Sequence, residues 1–318
     1  MSGHKSSTGS SPESNQSREM RNGVIFAASG YALWGITPLF WRLLDHIPVV
    51  EVLLHRIIWA VPLLAVWLFV RGRLRSAFAA LTTSKTMLML VTSALLVSVN
   101  WGIFIWAVSQ ERILEASLGY YINPLMNVVI GYVLLNEKLS KGQLIAIGLA
   151  VIAIIIQIWS LGSLPWVSLS LAITFAFYGY FKKKTSNIGA AQGLFIEVLL
   201  VAPFALAGII WLQWHGQSHF QLDVSFDALL LVAAGLVTVV PLVLFAAGAR
   251  RIQLITIGLL QYIGPSINLC LAIFVFNETA QSSQIFSFVL IWTGLVIFSY
   301  DAYKTERNRT MQRPSNLV

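Results

Sequence analysis

Charged residues and cysteine are scarce in this sequence. Of its 318 residues only 11% are Asp, Glu, Lys or Arg, and 57% are hydrophobic. A soluble protein has about a quarter charged residues, and the mean hydropathy here is +0.76. These values exclude a water-soluble globule. The single cysteine, Cys270, excludes an internal disulfide and a cysteine-based zinc site, because each needs at least two thiolates.

Motifs of nucleotide-dependent and metal-dependent enzymes are missing as well. The chain has no GxxxxGK[ST] loop to hold a phosphate and no HExxH helix to hold zinc. His215 and His219 have the spacing of a metal pair, but without a third ligand we interpret them as loop residues. We therefore expect no catalytic residue, no metal site and no cofactor. An intramembrane enzyme is disfavoured, because no nucleophile or metal cluster is found.

Apolar segments fill the chain from residue 23 to residue 300. A membrane-spanning helix needs about 20 apolar residues for a hydrocarbon core of about 30 Å, and the sequence holds ten such segments. We predict spans at 23–44, 50–70, 86–110, 113–135, 142–161, 164–181, 188–211, 228–247, 252–276 and 284–300. Residues 1–22 are rich in Ser, Gly and Asn, so we predict a disordered tail and no signal peptide. Residues 301–318 form a second predicted tail.

Lys and Arg residues indicate the orientation of the chain. Positive residues are retained on the cytoplasmic side of short loops, and 18 of the 21 Lys and Arg residues fall in alternate segments. They are Lys5, Arg18, Arg21, Arg71, Arg73, Arg75, Lys85, Lys138, Lys141, Lys182, Lys183, Lys184, Arg250, Arg251, Lys304, Arg307, Arg309 and Arg313. Both tails are therefore predicted to be cytoplasmic. The formal charge of +8 follows from topology and needs no nucleic-acid partner.

The chain repeats itself once. An offset of 141 residues aligns the second to fifth spans with the seventh to tenth, and an offset of 144 aligns 32–35 with 176–179. The matched positions include Pro62 and Pro203, Tyr121 and Tyr262, Pro124 and Pro265, Asn127 and Asn268, Asn136 and Asn277, Glu137 and Glu278, and Gln143 and Gln284. We predict two five-helix repeats, 23–161 and 162–300. Because five is odd, the second is inverted, which is typical of secondary transporters with a substrate site near the midplane.

Three segments stand out beside the repeat. They are WGITPLFWRLL (34–44), EVLLHRIIWA (51–60) and NWGIFIWAVSQERILEASLGYYINPLMNVVIGYVLLNEKL (100–139). With the paired halves they resemble the EamA-type family of the drug/metabolite transporter superfamily, and more closely its RarD branch of chloramphenicol-sensitive proteins. The resemblance covers about residues 20–300. It implies ten helices with cytoplasmic ends and movement of a small metabolite or drug-like solute, without naming the substrate.

Two charged residues lie inside predicted spans and away from the span ends, where an ionisable group is costly and therefore a functional candidate. Glu197 lies about eight residues into the seventh span, and its equivalent in the first repeat is Arg56. We predict that Glu197 exchanges a proton during transport and that Arg56 binds an anionic group of the substrate. The alternative is a structural salt bridge between the two. We interpret His55 as a hydrogen-bonding residue, and Glu51 and Glu115 as interfacial or capping carboxylates.

The fourth and ninth spans hold the main predicted binding region. Pro124 and Pro265 lie near their centres, where proline removes a backbone donor, so we predict symmetric kinks. A polar stripe at helical spacing surrounds each proline. Its members are Tyr120, Asn123 and Asn127 in the first repeat, and Gln261, Gly264 and Asn268 in the second.

We predict that this stripe lines a substrate cavity, together with Trp34, Asn100 and Trp101. The alternatives are interhelical hydrogen bonds for the amides and interfacial belts for the tryptophans. The sequence as a whole predicts an all-α membrane protein of ten transmembrane helices in two inverted repeats. We expect a secondary transporter of the bacterial inner membrane that works by alternating access, with protons as a candidate coupling ion. Its expected partners are a small-molecule substrate and the lipid bilayer. The alternative is a non-transporting membrane protein, such as a lipid-binding or assembly factor.

Overall fold

The computed structural model describes residues 12–79, 83–110, 112–161, 166–220, 225–277 and 282–311. Its helices, in chain order, are α1 (Pro12–Trp41), α2 (Val49–Val70), α3 (Leu74–Ala79), α4 (Ser84–Ser109), α5 (Ile113–Leu135), α6 (Lys141–Leu161), α7 (Trp166–Lys184), α8 (Ala190–Trp214), α9 (Phe226–Ala249), α10 (Leu254–Gln261), α11 (Ile263–Phe274) and α12 (Ser282–Met311). A short 3-10 turn, Arg42–Leu44, follows α1. The described ranges contain no strand, so the all-α prediction is confirmed.

The helices match the predicted spans. Within the described ranges nine segments are long and apolar enough to cross a membrane, with α10 and α11 together forming one of them. The remaining predicted span is α7, a 19-residue helix whose last turn holds Lys182, Lys183 and Lys184. These lysines lower the hydropathy of α7 without shortening it. Residues 164 and 165, where this span was predicted to begin, lie outside the described residues.

The structure differs from the sequence prediction at residues 12–22, which are helical and not disordered. Pro12 is the first helical residue, where its fixed φ and missing N–H are tolerated. Glu19, about two turns further along α1, accepts a hydrogen bond from Arg251 Nε at 2.8 Å. At the other end, α12 continues to Met311 through part of the predicted C-terminal tail. Residues 1–11 and 312–318 lie outside the described residues.

Equivalent helices of the two repeats make equivalent packing contacts. The equivalent pairs are α1 and α7, α2 and α8, α4 and α9, α5 and the pair α10 and α11, and α6 and α12. The contact between α1 and α9 is equivalent to that between α7 and α4, and the contact between α5 and α7 is equivalent to that between α11 and α1. Three contacts pair a helix with its own equivalent: α2 with α8, α5 with α10, and α6 with α12. These three contacts therefore lie along the axis that relates the repeats.

Successive spans cross in opposite directions, because the loops between them are short. We call the face where α1 begins and α12 ends the terminal face, and the opposite face the distal face. Most basic side chains that follow a span lie at the terminal face, including Arg71 after α2, Lys184 at the end of α7 and Arg250 after α9.

A repeated Asn-Glu pair ends the fourth span. Asn136 follows α5 with a φ of 53°, and its equivalent Asn277 has a φ of 55°. Asn tolerates this left-handed conformation, which closes a helix C-terminus. The next residue, Glu137, accepts hydrogen bonds from Leu254 N at 2.8 Å and from Ile255 N at 3.0 Å. One motif thus ends α5 and caps the N-terminus of α10, which orients the two helices that meet on the axis.

The ninth span is interrupted between α10 and α11. The interruption lies at Tyr262, three residues before Pro265, whose missing N–H frees the carbonyl of Gln261. The Tyr262 hydroxyl donates to the Tyr121 carbonyl at 3.1 Å, joining two equivalent positions. α5 runs through Pro124 as one helix, so the two prolines of the predicted symmetric kinks lie in different surroundings.

Candidate functional site

Arg56 is the eighth residue of α2. At 1.5 Å per residue this is about 10 Å from the distal end of the helix. Its Nε donates to the hydroxyl oxygen of Thr238 on α9 at 2.7 Å. That hydroxyl donates in turn to the Ala234 carbonyl at 2.8 Å, so its oxygen is free to accept from the guanidinium. This chain fixes the guanidinium group between α2 and α9.

Aromatic side chains surround the same guanidinium. Its Cζ lies 4.9 Å from the ring centroid of Trp41 at the end of α1 and 5.6 Å from that of Trp101 on α4. Tyr120 on α5 is close enough to interact with it electrostatically. The side chain of Tyr120 is 51% exposed. The helices α1, α2, α4, α5 and α9 thus all contribute side chains to the surroundings of Arg56, and we call this region the distal vestibule.

The carboxylates near Arg56 have other partners. Glu51, on the same helix, is 1% exposed and accepts from Ser218 Oγ at 2.9 Å and from the backbone N–H of His219 at 2.7 Å. His219 Nδ1 lies 2.8 Å from its other oxygen. His219 is thus a partner of Glu51, and the described residues contain no group of three or more His, Cys, Asp or Glu that could hold a metal. In the part of the chain that the structure describes, Arg56 forms no salt bridge.

Three amides of the predicted stripe meet where α5 packs on α10. Asn127 Nδ2 donates to Gln261 Oε1 at 2.9 Å, and it lies 3.4 Å from Asn123 Oδ1. All three side chains are buried. A Cβ added at Gly258 would lie 2.5 Å from the Pro124 carbonyl, so only glycine allows α5 and α10 to approach this closely. The amide cluster therefore lies on the axis between the repeats.

The other predicted cavity residues lie in different surroundings. Asn100 donates to the Leu171 carbonyl and to Thr174 Oγ1, both at 2.8 Å, and so joins α4 to α7. Trp34 packs edge-to-face on Phe175, with ring centroids 6.0 Å apart. Asn268 is exposed, and among the described residues no hydrogen bond joins it to the amide cluster. The structure thus brings together Arg56, Trp101 and Tyr120, and separately the three amides.

Glu197 pairs with a lysine and not with Arg56. Lys182 Nζ lies 2.5 Å from Glu197 Oε2, and the two side chains are 0% and 1% exposed. Lys182 also lies 5.1 Å from the ring centroid of Tyr178. A Cβ added at Gly193, one turn before Glu197, would lie 3.4 Å from Arg250 Nη2 and 3.8 Å from Lys182 Nζ. Two cations therefore approach one carboxylate between α7, α8 and α9; we call this group the charge cluster.

A narrow cavity lies between Trp101 and the charge cluster. Its lining includes Val97, Trp101, Tyr178, Glu197 and Leu242, and its volume of about 10 Å³ suffices for about one water molecule. The charge cluster is about 10 Å from the terminal end of α8, since Glu197 is its eighth residue. The space between Trp101 and the charge cluster is therefore too small for a solute.

Both halves of the chain match one known family. Residues 21–159 and 164–300 each match the EamA-like transporter family. The chain belongs to that family. The double match agrees with the repeat seen in the sequence and in the packing of the helices.

Known proteins similar to this EamA-type chain cover nearly all of it. An uncharacterized transporter of Vibrio cholerae is 42% identical over 287 residues, 90% of this chain and 95% of the relative. Protein RarD of Escherichia coli is 38% identical over 290 residues, 91% of this chain and 98% of the relative. A crystal structure superposes with a TM-score of 0.68 at 14% identity, over 86% of this chain and 96% of that one, and shows the fold alone. The resemblance to the RarD branch is confirmed. The chain is a multi-pass transporter of the inner membrane, and its family is one of transporters and not of enzymes.

Sequence reasoning about this EamA-type transporter missed four residues of the two charged groups. They are Trp41 and Thr238 beside Arg56, and Lys182 and Arg250 beside Glu197. Lys182 and Arg250 fit the excess of positive charge that is predicted for the cytoplasmic side. The sequence therefore gave no reason to place them next to a carboxylate. Thr238 did leave a signal, since it is the one hydroxyl residue in the apolar sequence of α9, Phe226–Ala249.

Proposed function

We propose that this chain is a secondary transporter that carries a small solute by alternating access between its two repeats. In this proposal the terminal face is cytoplasmic, as the distribution of Lys and Arg predicts, and the distal face is periplasmic. Inverted repeats support the proposal, because rocking one repeat against the other can open each face in turn around a fixed site. The residues proposed to line the path are those of the distal vestibule and the amide cluster.

One observation carries the proposal. Arg56 is half-buried and Tyr120 is 51% exposed, whereas Lys182 and Glu197 of the charge cluster form a fully buried ion pair. Lys182 belongs to α7 and Glu197 to α8, so separating these helices at the terminal face breaks the pair. Arg250, which follows α9, is close enough to attract the same carboxylate electrostatically. We therefore assign the charge cluster as the cytoplasmic gate of the conformation seen here.

Proton coupling through Glu197 is part of this proposal. A proton on Glu197 removes its negative charge and with it the attraction to Lys182 and Arg250. Protonation therefore favours the opening of the gate, and deprotonation favours its closure. This linkage supplies a route by which a proton gradient biases the direction of transport.

Labelling of cysteine variants from each side of the membrane tests the proposal. In a Cys270→Ser background, Tyr120→Cys is treated with a membrane-impermeant maleimide, in intact cells and in inside-out vesicles. We expect labelling from both sides, because alternating access exposes one position to each side in turn. Adding Glu197→Gln is expected to lower labelling in cells and to raise it in vesicles, since the gate then opens more readily.

Val129→Cys is the matched control on the same helix. Val129 is 49% exposed and lies on the opposite side of α5, nine residues from Tyr120. We expect it to resist labelling from either side, because it faces lipid. Labelling of Tyr120→Cys from one side only, with no response to Glu197→Gln, contradicts alternating access and favours a static membrane protein.

A further inference from the structure

Within the proposed function, the surroundings of Arg56 indicate the class of solute. A buried cation in a membrane protein pairs with an anion or faces a water-filled cavity. Arg56 is half-buried, and in the described ranges no carboxylate lies within salt-bridge distance of it. Its one hydrogen-bonding side-chain partner, Thr238, is neutral and takes only Nε. In the described ranges no hydrogen bond from the two Nη atoms is found, so they remain available to a ligand.

The carboxylate nearest along the chain does not compensate this charge. Glu51 is fixed by four contacts to Ser218, His219 and Phe220, at distances between 2.7 and 3.2 Å. On the other flank His55 is tied to its own helix, because its Nδ1 accepts from Trp59 Nε1 at 3.2 Å. Neither side chain is free to turn toward the guanidinium.

The two rings next to Arg56 orient it but do not neutralise it. A cation held over Trp gains about 0.5–2 kcal/mol and keeps its charge. A guanidinium held at Nε by Thr238 and between Trp41 and Trp101 presents its Nη atoms in a fixed plane. Such a fork matches the two oxygens of a carboxylate in a bidentate pair.

The inverted repeat provides an internal comparison. At the 141-residue offset Arg56 is equivalent to Glu197, Thr238 to Val97, and Trp101 to Leu242. Thr238, which belongs to the second repeat, and Trp101, which belongs to the first, thus each have an apolar equivalent. Fold symmetry does not require Thr238 and Trp101, so their presence at Arg56 alone points to recognition and not to packing.

We propose that Arg56 is the anion-binding residue of the transport site, and that the solute is a small organic acid bound through its carboxylate. Thr238, Trp41 and Trp101 are positioning residues for the guanidinium. Tyr120, which faces the same vestibule, contributes a hydroxyl and a ring beside the bound acid.

Binding to the purified full-length protein in detergent tests this without requiring transport. The probes are acetate, lactate, succinate, benzoate and indole-3-acetate, each compared with its amide, and binding is followed as a rise in melting temperature with concentration. We expect at least one acid to bind wild type while its amide does not. Arg56→Gln should weaken that binding about 10-fold to 100-fold, because a charge-assisted hydrogen-bond pair is lost.

Arg42→Gln is the matched control. Arg42 lies at the same face, stacks on Phe276 at 4.7 Å and is exposed, so its replacement should leave acid binding within about 2-fold of wild type. If Arg56→Gln does not fold, two further variants test the site. Arg56→Lys keeps the charge but loses the two-pronged guanidinium, and it should bind the acid with intermediate affinity. Thr238→Val should bind the acid more weakly than wild type.

Two results overturn the inference. One is that no acid is preferred over its amide, and the other is that Arg56→Gln binds the acid as well as wild type does. The proposed function has its own separate test in the labelling experiment. Acid binding without two-sided labelling contradicts transport but supports the site, whereas two-sided labelling without acid preference contradicts only the site.

Discussion

Replacing one member of the Lys182 and Glu197 pair is expected to destabilise the protein far more than replacing both. The two side chains are 0% and 1% exposed and their charged atoms are 2.5 Å apart. Removing one partner of a buried pair leaves an uncompensated charge, at a cost of about 3–5 kcal/mol. Arg250 is close enough to attract Glu197, so Lys182→Met is expected near the lower limit. Glu197→Gln leaves two cations facing each other and is expected near the upper limit.

A double-mutant cycle measures this directly. Lys182→Met, Glu197→Gln and their combination are unfolded in mixed micelles by titration with denaturing detergent, and unfolding is followed by tryptophan fluorescence. The combined variant is expected to cost at least about 3 kcal/mol less than the sum of the two single variants, since it removes both charges. Lys184→Met is the control, because Lys184 is an exposed neighbour and should change stability by at most about 0.5 kcal/mol.

The outcome separates two physical descriptions of the cluster. Measured interhelical polar pairs in membrane proteins average only about 0.6 kcal/mol. If the two single effects add to within about 0.5 kcal/mol, the pair is screened by water and the assignment of the charge cluster as a closed gate is wrong. A large coupling energy instead means that the gate is dry and that opening it requires a comparable energy from another source.

Two further predictions concern the contacts between the repeats. Glu137→Gln removes the charge that caps α10 through Leu254 N and Ile255 N and should lower stability by about 1–2 kcal/mol, with Lys138→Gln as the unaffected control in the same unfolding titration. Gly258→Ala places a Cβ 2.5 Å from the Pro124 carbonyl and should lower the melting temperature through a cost of about 1–3 kcal/mol. Gly148→Ala meets no atom within 4 Å and should be neutral or slightly stabilising; equal effects of the two alanines contradict the close packing of α5 on α10.

The fold could be predicted because its determinants are local and additive. Span length and hydropathy alone locate the helices, and a constant offset of 141 residues reveals the repeat. The Asn136 and Asn277 matches also have a local cause, since both residues adopt the left-handed conformation that ends a helix. The helix break at Tyr262 is harder to predict from the sequence, because Pro124 is in a similar local sequence and lies inside a continuous helix. Packing around each proline decides between the two results.

The pairing of charges could not be predicted from the alignment of the repeats. The offset places Arg56 opposite Glu197 in sequence, but inversion places the first about 10 Å from the distal face and the second about 10 Å from the terminal face. Lys182 reaches Glu197 from the last turn of α7, where a lysine is expected to face water. The sequence therefore indicated which residues are unusual, and only the three-dimensional packing could indicate their partners.

The inversion has an energetic consequence for the proposed cycle. A transporter with two identical repeats would have an equivalent gate at each face. Here Glu197 has two basic neighbours, whereas Arg56 pairs with no carboxylate in the described ranges. Moving a two-state equilibrium from 1:99 to 99:1 takes about 5.5 kcal/mol, similar to the largest cost expected for breaking the gate. A solute bound at Arg56 and a proton on Glu197 act on opposite ends of that equilibrium. We therefore expect Glu197→Gln to make the state that is open to the terminal face dominant even without solute. Adding an organic acid should then restore labelling of Tyr120→Cys from the distal side. This recovery should require Arg56.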